Sequence, residues 1–150
     1  MSRWIFWIAT GLGSGWVPVA PGTAGSLVGL ALVFLLHLFF PIIYLSFFIL
    51  VLVVGTYCAG QAEQALREPD SPHIVIDEIA GMLAAAFLIP EGMGFLLAAF
   101  LLFRLLDILK PFPARWIERR IGGGPAIMLD DMVAGIYTNL ILQGVGQALG

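Results

Sequence analysis

The chain alternates between long apolar runs and short polar breaks. A helix needs about 20 mostly apolar residues to span the hydrocarbon core of a bilayer. Five runs approach that length and predict five transmembrane helices, at residues 23–40, 42–60, 74–89, 95–109 and 132–149. The third and fourth runs are short, which predicts local bilayer thinning or burial against neighbouring helices.

The stretch at residues 11–25 breaks this pattern because glycine and proline are too dense there for a regular helix. Non-helical backbone at membrane depth persists only where protein or a water-filled cavity satisfies it. We therefore predict a Pro/Gly-rich loop folded against the helix ends, after a short interfacial segment at 4–9. A plain surface linker is the alternative interpretation.

Composition supports the membrane class. Apolar residues make up 60% of the 150 residues and charged residues 11%, against about 25% charged in soluble domains. The mean hydropathy is +0.99. We predict an all-α integral membrane protein, a compact bundle forming one domain over residues 1–150. Arg3 and the apolar residues after it are followed by no clear small-x-small site, so we expect no cleaved signal peptide.

The charge pattern excludes some functions and orients the chain. The net charge is −3, and no lysine or arginine tract is present, so nucleic acid is not an expected partner. Cys58 is the only cysteine, which excludes an internal disulfide and a multi-cysteine metal site. Lysine and arginine occur in the N-terminus and in the polar breaks at 61–73 and 110–131, but not in the turns at Pro41 and 90–94. The positive-inside rule makes the basic side cytoplasmic and places the C-terminus outside.

Acidic residues gather at the same predicted level. Asp77 and Glu78 begin the third run, Asp107 ends the fourth, and Asp130 and Asp131 begin the fifth. Acids near membrane depth are costly and mark functional sites by default. Clustered carboxylate oxygens favour hard cations such as Mg²⁺. Helix capping could account for an acid at a helix N-terminus, but not for Asp107 at a C-terminus.

Basic side chains flank these acids. Arg104 and Lys110 each lie three residues from Asp107, on the same helical face. Arg104 could simply pair with Asp107, or both basic groups could bind phosphate. Arg115 could take part, or could rest on the lipid headgroups. A carboxylate-held metal beside basic groups suits metal-assisted attack of water on a phosphate ester.

Two other classes of function stay open on these residues alone. The acids could form the ion site of a small membrane cation transporter, although they lie at one face and no inverted repeat is visible. The chain could also be a structural membrane subunit with capped helices. Oligomeric state cannot be read from the sequence.

Four ordered motifs carry a family resemblance that extends from about Gly11 to Gln143. They are Gly13-Ser14-Gly15 with Pro21-Gly22-Thr23-Ala24-Gly25-Ser26, then Ile76-Asp77-Glu78-Ile79-Ala80-Gly81-Met82, then Phe103-Arg104-Leu105-Leu106-Asp107-Ile108-Leu109-Lys110-Pro111, and last Gly122-Gly123-Gly124-Pro125-Ala126-Ile127-Met128-Leu129-Asp130-Asp131-Met132-Val133-Ala134-Gly135. In these motifs the chain resembles the phosphatidylglycerophosphatase A family.

The resemblance implies a Mg²⁺-dependent lipid phosphatase that hydrolyses phosphatidylglycerophosphate to phosphatidylglycerol and phosphate. It implies bacterial phospholipid synthesis at the cytoplasmic (inner) membrane, with the active site on the cytoplasmic face. The expected metal and catalytic acids are Asp77, Glu78, Asp107, Asp130 and Asp131.

We add Lys110 to the expected catalytic residues, because with help from Arg104 it would neutralise charge on the phosphoryl oxygens. We also expect residues 14–26 to pack over the acids and shape a headgroup pocket. The expected substrate-binding residues are Ser14, Thr23, Ser26, Arg104, Lys110 and Arg115.

Overall fold

A computed structural model describes residues 2–150. The regular secondary structure of this part of the chain is helical and includes no strand, which confirms the all-α prediction. Seven α-helices and one short 3-10 helix follow one another within residues 2–150. They are α1 (Arg3–Ala9), the 3-10 helix (Ser14–Trp16), α2 (Pro21–Leu36), α3 (Pro41–Leu66), α4 (Ile76–Ala85), α5 (Met93–Leu109), α6 (Ala114–Arg120) and α7 (Gly123–Leu149).

Two helices are long and apolar enough to cross a membrane, namely α3 with 26 residues and α7 with 27 residues. At 1.5 Å per residue they measure about 40 Å. The helix α2 is apolar but shorter. The prediction of five transmembrane helices is therefore not confirmed in this part of the chain, where length and composition support two.

The predicted third span differs most from the structure. Only residues 76–85 are helical, which gives a rod of about 15 Å, too short to span hydrocarbon. Every residue of α4 except Glu78 is buried. The helix lies at the centre of the molecule and contacts α2, α3, α5 and α7. Its apolar run reflects burial in protein rather than exposure to lipid.

The last helix begins earlier than predicted. The range 110–131 was expected to be a loop, but it contains α6 and the first two turns of α7. Asp130 and Asp131 therefore lie inside α7 and do not begin it. The capping explanation fails for Asp130, because only the first turn of a helix has free amides.

The N-terminal part of the predicted 11–25 loop is irregular, with left-handed backbone at Gly11, Leu12 and Gly13. Helix α2 nevertheless begins at Pro21, four residues before the predicted loop ends. Proline suits the first position of a helix, where its missing N–H leaves no bond unmade.

Close helix crossings depend on glycine. A Cβ atom on Gly135 of α7 would lie 2.5 Å from the carbonyl oxygen of Gly81 on α4. Small residues of this kind let helix backbones approach closely. At one end of the molecule Gly60 of α3 packs against Gly124 of α7, and at the other Gly146 packs against Pro90. The start of α7 therefore shares one end of the bundle with the last turns of α3.

Candidate functional site

The five predicted acids converge on one cleft of about 280 Å³. Three helices supply them, namely α4, the last turn of α5 and the third turn of α7. The loop before α4 closes one side. The lining residues are Asp70, Ser71, Pro72, Ile74, Asp77, Glu78, Asp107, Ile108, Lys110, Asp130 and Asp131. The prediction that distant acids share one level of the bundle agrees with this arrangement.

Within the cleft the acids form two overlapping sets. Asp77, Asp130 and Asp131 each offer a carboxylate oxygen within 4.8 Å of the others. Glu78, Asp107 and Asp131 do the same. Asp131 belongs to both sets, so its side chain lies between the other two pairs.

These carboxylates are unusually buried. Asp77 is 6% exposed and Asp131 is 3% exposed. Among residues 2–150, Asp77 Oδ1, Glu78 Oε2 and Asp131 Oδ2 find no hydrogen-bond partner. A buried anion without partners costs several kcal/mol. The protein thus holds oxygen atoms that require a cation or protons.

Arg104 stands beside the second set. Its guanidinium donates to Asp107 Oδ2, and Nη1 lies 3.8 Å from Glu78 Oε1. The predicted pairing along one face of α5 is therefore present. The Nε of Arg104 is buried and has no partner within the described residues, so it keeps one free donor.

Lys110 closes α5 in a left-handed conformation, directly before Pro111. Its Nζ donates to Asp130 Oδ2 at 2.9 Å and lies 3.4 Å from Glu118 and 3.8 Å from Asp70. Burial lowers the pKa of Lys110, but the hydrogen bond and charge of Asp130 outweigh that effect and raise the pKa. The ammonium group is therefore charged at neutral pH and faces the cleft.

The beginning of α2 packs directly on the charged pair of Glu78 and Arg104. A Cβ atom on Gly22 would overlap Glu78 Oε1 and would lie 3.1 Å from Arg104 Nη2. No larger residue fits without displacing one of these groups. The Pro21-Gly22 motif thus covers one side of the acidic set, whereas the placement expected for the rest of residues 14–26 over the acids stays a prediction.

The predicted substrate-binding residues Ser14, Thr23 and Ser26 lie outside the wall of the acidic cleft. Ser26 is buried and donates to the Gly22 carbonyl oxygen, one turn back in α2. Ser14 has its Oγ 3.4 Å from the Thr10 carbonyl oxygen. Thr23 is half-buried in the first turn of α2. None of the three lines the acidic cleft.

Arg115 lines an adjoining cleft of about 660 Å³ between the end of α5 and α6. It donates to the Leu109 carbonyl oxygen at 3.1 Å. Lys110 lines both this cleft and the acidic one. Arg115 is therefore a neighbour of the acidic cleft and not part of its wall.

Two acids near Lys110 were missed by sequence reasoning. Asp70 lines the acidic cleft, and Glu118 of α6 approaches Lys110 from the other side. Burial raises the pKa of Asp70, and the charge of Lys110 offsets only part of the rise. Nothing in the composition of the polar loop distinguishes Asp70 from its neighbours, because its position depends on how the loop folds back.

The donor set consists of carboxylate oxygens, which could hold a hard cation such as Mg²⁺. Hard cations of this kind bind carboxylate oxygens, and Mg–O distances are about 2.0–2.1 Å. Two oxygens on opposite sides of one ion are therefore about 4 Å apart. In each carboxylate set the three oxygens lie within 4.8 Å of one another, a spacing of the same order. The unpartnered oxygens of Asp77, Glu78 and Asp131 supply the open lone pairs.

The chain that carries this site also matches a known protein family. The profile of phosphatidylglycerophosphatase A matches residues 7–146, which is nearly the whole chain. The chain belongs to the phosphatidylglycerophosphatase A family. The resemblance of the four motifs is thereby confirmed.

Individual relatives agree with this assignment. The chain is 36% identical over 140 residues to phosphatidylglycerophosphatase A of Escherichia coli, covering 93% of this chain and 81% of the relative. It is 40% identical over 140 residues to the Haemophilus influenzae protein of the same name, covering 92% and 86%. A Bacteroides thetaiotaomicron relative, named as a candidate phosphatidylinositol-3-phosphatase, is 35% identical over 151 residues, covering 95% and 94%. No solved structure matches the chain.

Proposed function

We propose that this protein hydrolyses phosphatidylglycerophosphate to phosphatidylglycerol and inorganic phosphate. The observation that carries the proposal is the cleft of five carboxylates with Lys110 at its edge, in a chain of the phosphatidylglycerophosphatase A family. The two relatives with that name align over at least 92% of this chain.

We assign the five carboxylates to Mg²⁺. The ligands would be Asp77, Glu78, Asp107, Asp130 and Asp131. Bound there, Mg²⁺ would supply charge neutralisation and would favour attack of water on the phosphate ester. The free lone pairs and the burial of the oxygens support this assignment.

Lys110 and Arg104 would serve the substrate. Phosphoryl transfer depends mainly on positioning and on stabilising charge over the phosphoryl oxygens. Lys110 lines the cleft and is charged, and the guanidinium of Arg104 lies next to two of the lining acids. Asp107 and Glu78 hold the Arg104 guanidinium in place, so it enters the reaction already oriented.

The lipid character of the substrate fits the surface around the cleft. Helix α6 exposes Arg119 and Arg120 beside Trp116, and Phe112 just before the helix is 76% exposed. Arginine with exposed aromatic groups is typical of a membrane–water interface. We place this end of the bundle at the cytoplasmic headgroup layer of a bacterial inner membrane.

A cation transporter is not favoured. The relatives with assigned names are phosphatases, and the carboxylates gather at one end of the bundle rather than at its middle. The name of the Bacteroides relative makes phosphatidylinositol 3-phosphate the substrate to compare. Both lipids carry a phosphate monoester on their headgroup, so the carboxylate cleft by itself does not discriminate between them.

The test is phosphate release by the full chain in lipid nanodiscs, with phosphatidylglycerophosphate, phosphatidylinositol 3-phosphate and glycerol 3-phosphate supplied in parallel with Mg²⁺. We expect turnover of phosphatidylglycerophosphate with the highest kcat/KM. Preferred turnover of phosphatidylinositol 3-phosphate would contradict the proposed substrate. Absence of phosphate release from all three would contradict the proposal that the protein is a phosphatase.

A further inference from the structure

Asp131 occupies a position that none of the other acids shares. It supplies an oxygen both to the set with Asp77 and Asp130 and to the set with Glu78 and Asp107. The residue is 3% exposed, and its Oδ2 has no hydrogen-bond partner among residues 2–150. A carboxylate has two oxygens, so one side chain can serve two neighbouring cations.

A single ion does not account for both sets. Oxygens bound to one Mg²⁺ lie within about 4 Å of one another. In the described part of the chain the acids form two groups of three, each with its oxygens within 4.8 Å of one another, and no group joins four or five of them. Gly81 of α4 and Gly135 of α7 are already in close contact, which limits how far these two helices can approach to gather all five acids around one ion.

The net charge of the cleft also favours two cations over one. Six carboxylates line the cleft, with Asp70 among them, and together with Arg104 and Lys110 they leave four net formal negative charges. One divalent cation would leave the cleft negative, and a negative cleft repels a phosphate dianion. A second divalent cation brings the formal charge of the cleft to zero, which removes the repulsion of the dianion.

We infer that the cleft binds two divalent cations and that Asp131 bridges them. One ion lies with Asp77 and Asp130, and the other lies with Glu78 and Asp107. This inference rests on the proposed metal site and adds the number of ions and the shared ligand. Paired ions of this kind are about 3.5–4 Å apart in phosphate-cleaving enzymes.

Mn²⁺ is the probe, because it is a hard divalent ion like Mg²⁺ and is paramagnetic. The metal-free full chain in detergent is titrated with Mn²⁺, and the bound ions are counted after gel filtration. Electron paramagnetic resonance then reports whether two bound ions are coupled through a shared ligand. We expect two Mn²⁺ per chain and a coupled spectrum for the wild-type protein.

Variants separate the two positions. Asp77→Asn and Asp107→Asn should each bind one Mn²⁺ fewer per chain and show an uncoupled spectrum. Asp131→Asn should lose the coupling and at least one equivalent. Glu91→Gln, an acid in the turn between α4 and α5, should keep two coupled ions.

The wild-type measurement decides the inference even if a variant does not fold. One Mn²⁺ per chain with an uncoupled spectrum overturns the bridged pair, and no bound Mn²⁺ overturns it as well. Phosphate release from phosphatidylglycerophosphate is measured separately. An active enzyme with one bound ion would refute the bridge while leaving the proposed function in place.

Discussion

Lys110 Nζ donates a hydrogen bond of 2.9 Å to Asp130 Oδ2, although the residues are 20 positions apart. The bond joins the end of α5 to the third turn of α7. It fixes a positive group at the edge of the carboxylate cleft, where it would meet the phosphate of the proposed substrate.

Replacement of Lys110 should therefore damage turnover. Lys110→Met keeps the length of the side chain and removes its charge, so we expect kcat to fall by about 10²–10³-fold. Lys110→Arg keeps the charge and should retain more activity. Phosphate release under saturating substrate measures both. A Lys110→Met protein with near wild-type kcat would remove Lys110 from the proposed mechanism.

Loss of any one carboxylate should abolish most activity. Asp77→Asn, Asp107→Asn and Asp130→Asn keep the size of the side chain and remove its negative charge. EDTA should stop the wild-type enzyme, and added Mg²⁺ should restore it. Glu91→Gln is the matched control and should remain active. Normal turnover in the three asparagine variants would show that these acids have no catalytic role.

Gly22 should be intolerant of a side chain. In Gly22→Ala the new methyl group must displace Glu78 or Arg104, and we expect activity to fall by up to about 100-fold. Gly94→Ala is the matched control, because Gly94 is also the second residue of its helix and has open space around it. Equal activity of the two variants would contradict the close packing at Gly22.

Gly124 should matter for stability. A methyl group there would overlap the carbonyl oxygen of Thr56 on α3. Overpacking of this kind typically costs about 1–3 kcal/mol. Gly144→Ala, in the same helix but with nothing nearby, should leave stability unchanged or slightly higher. Thermal unfolding in detergent compares the two, and the prediction fails if their midpoints agree.

The orientation of the bundle can be tested by cysteine labelling of intact cells. Arg115→Cys should react with a membrane-impermeant maleimide only after permeabilisation, whereas Gln147→Cys should react from outside. The native Cys58 is buried and should not be labelled in either experiment. Labelling of residue 115 in intact cells would reverse the proposed topology.

The sequence alone determined the all-α class of the fold and singled out the acidic residues that meet in the cleft. Apolar runs and turn residues are local properties, so an all-α fold was readable from them. Asp77, Glu78 and Asp107 stood out because an acid in an apolar run has few structural explanations. Lys110 was found by its three-residue spacing from Asp107, which is also local.

Only the tertiary structure decided which apolar runs could face lipid and how the acids are grouped. The apolar run at 74–89 is compatible with either lipid or protein around it. In the structure, packing against other helices makes α4 a short buried helix. Asp70 reaches Lys110 only because its loop folds back, and Asp131 lies between two pairs of acids only because α4, α5 and α7 meet there. Such contacts join residues far apart in the chain, and no local pattern encodes the distance between them.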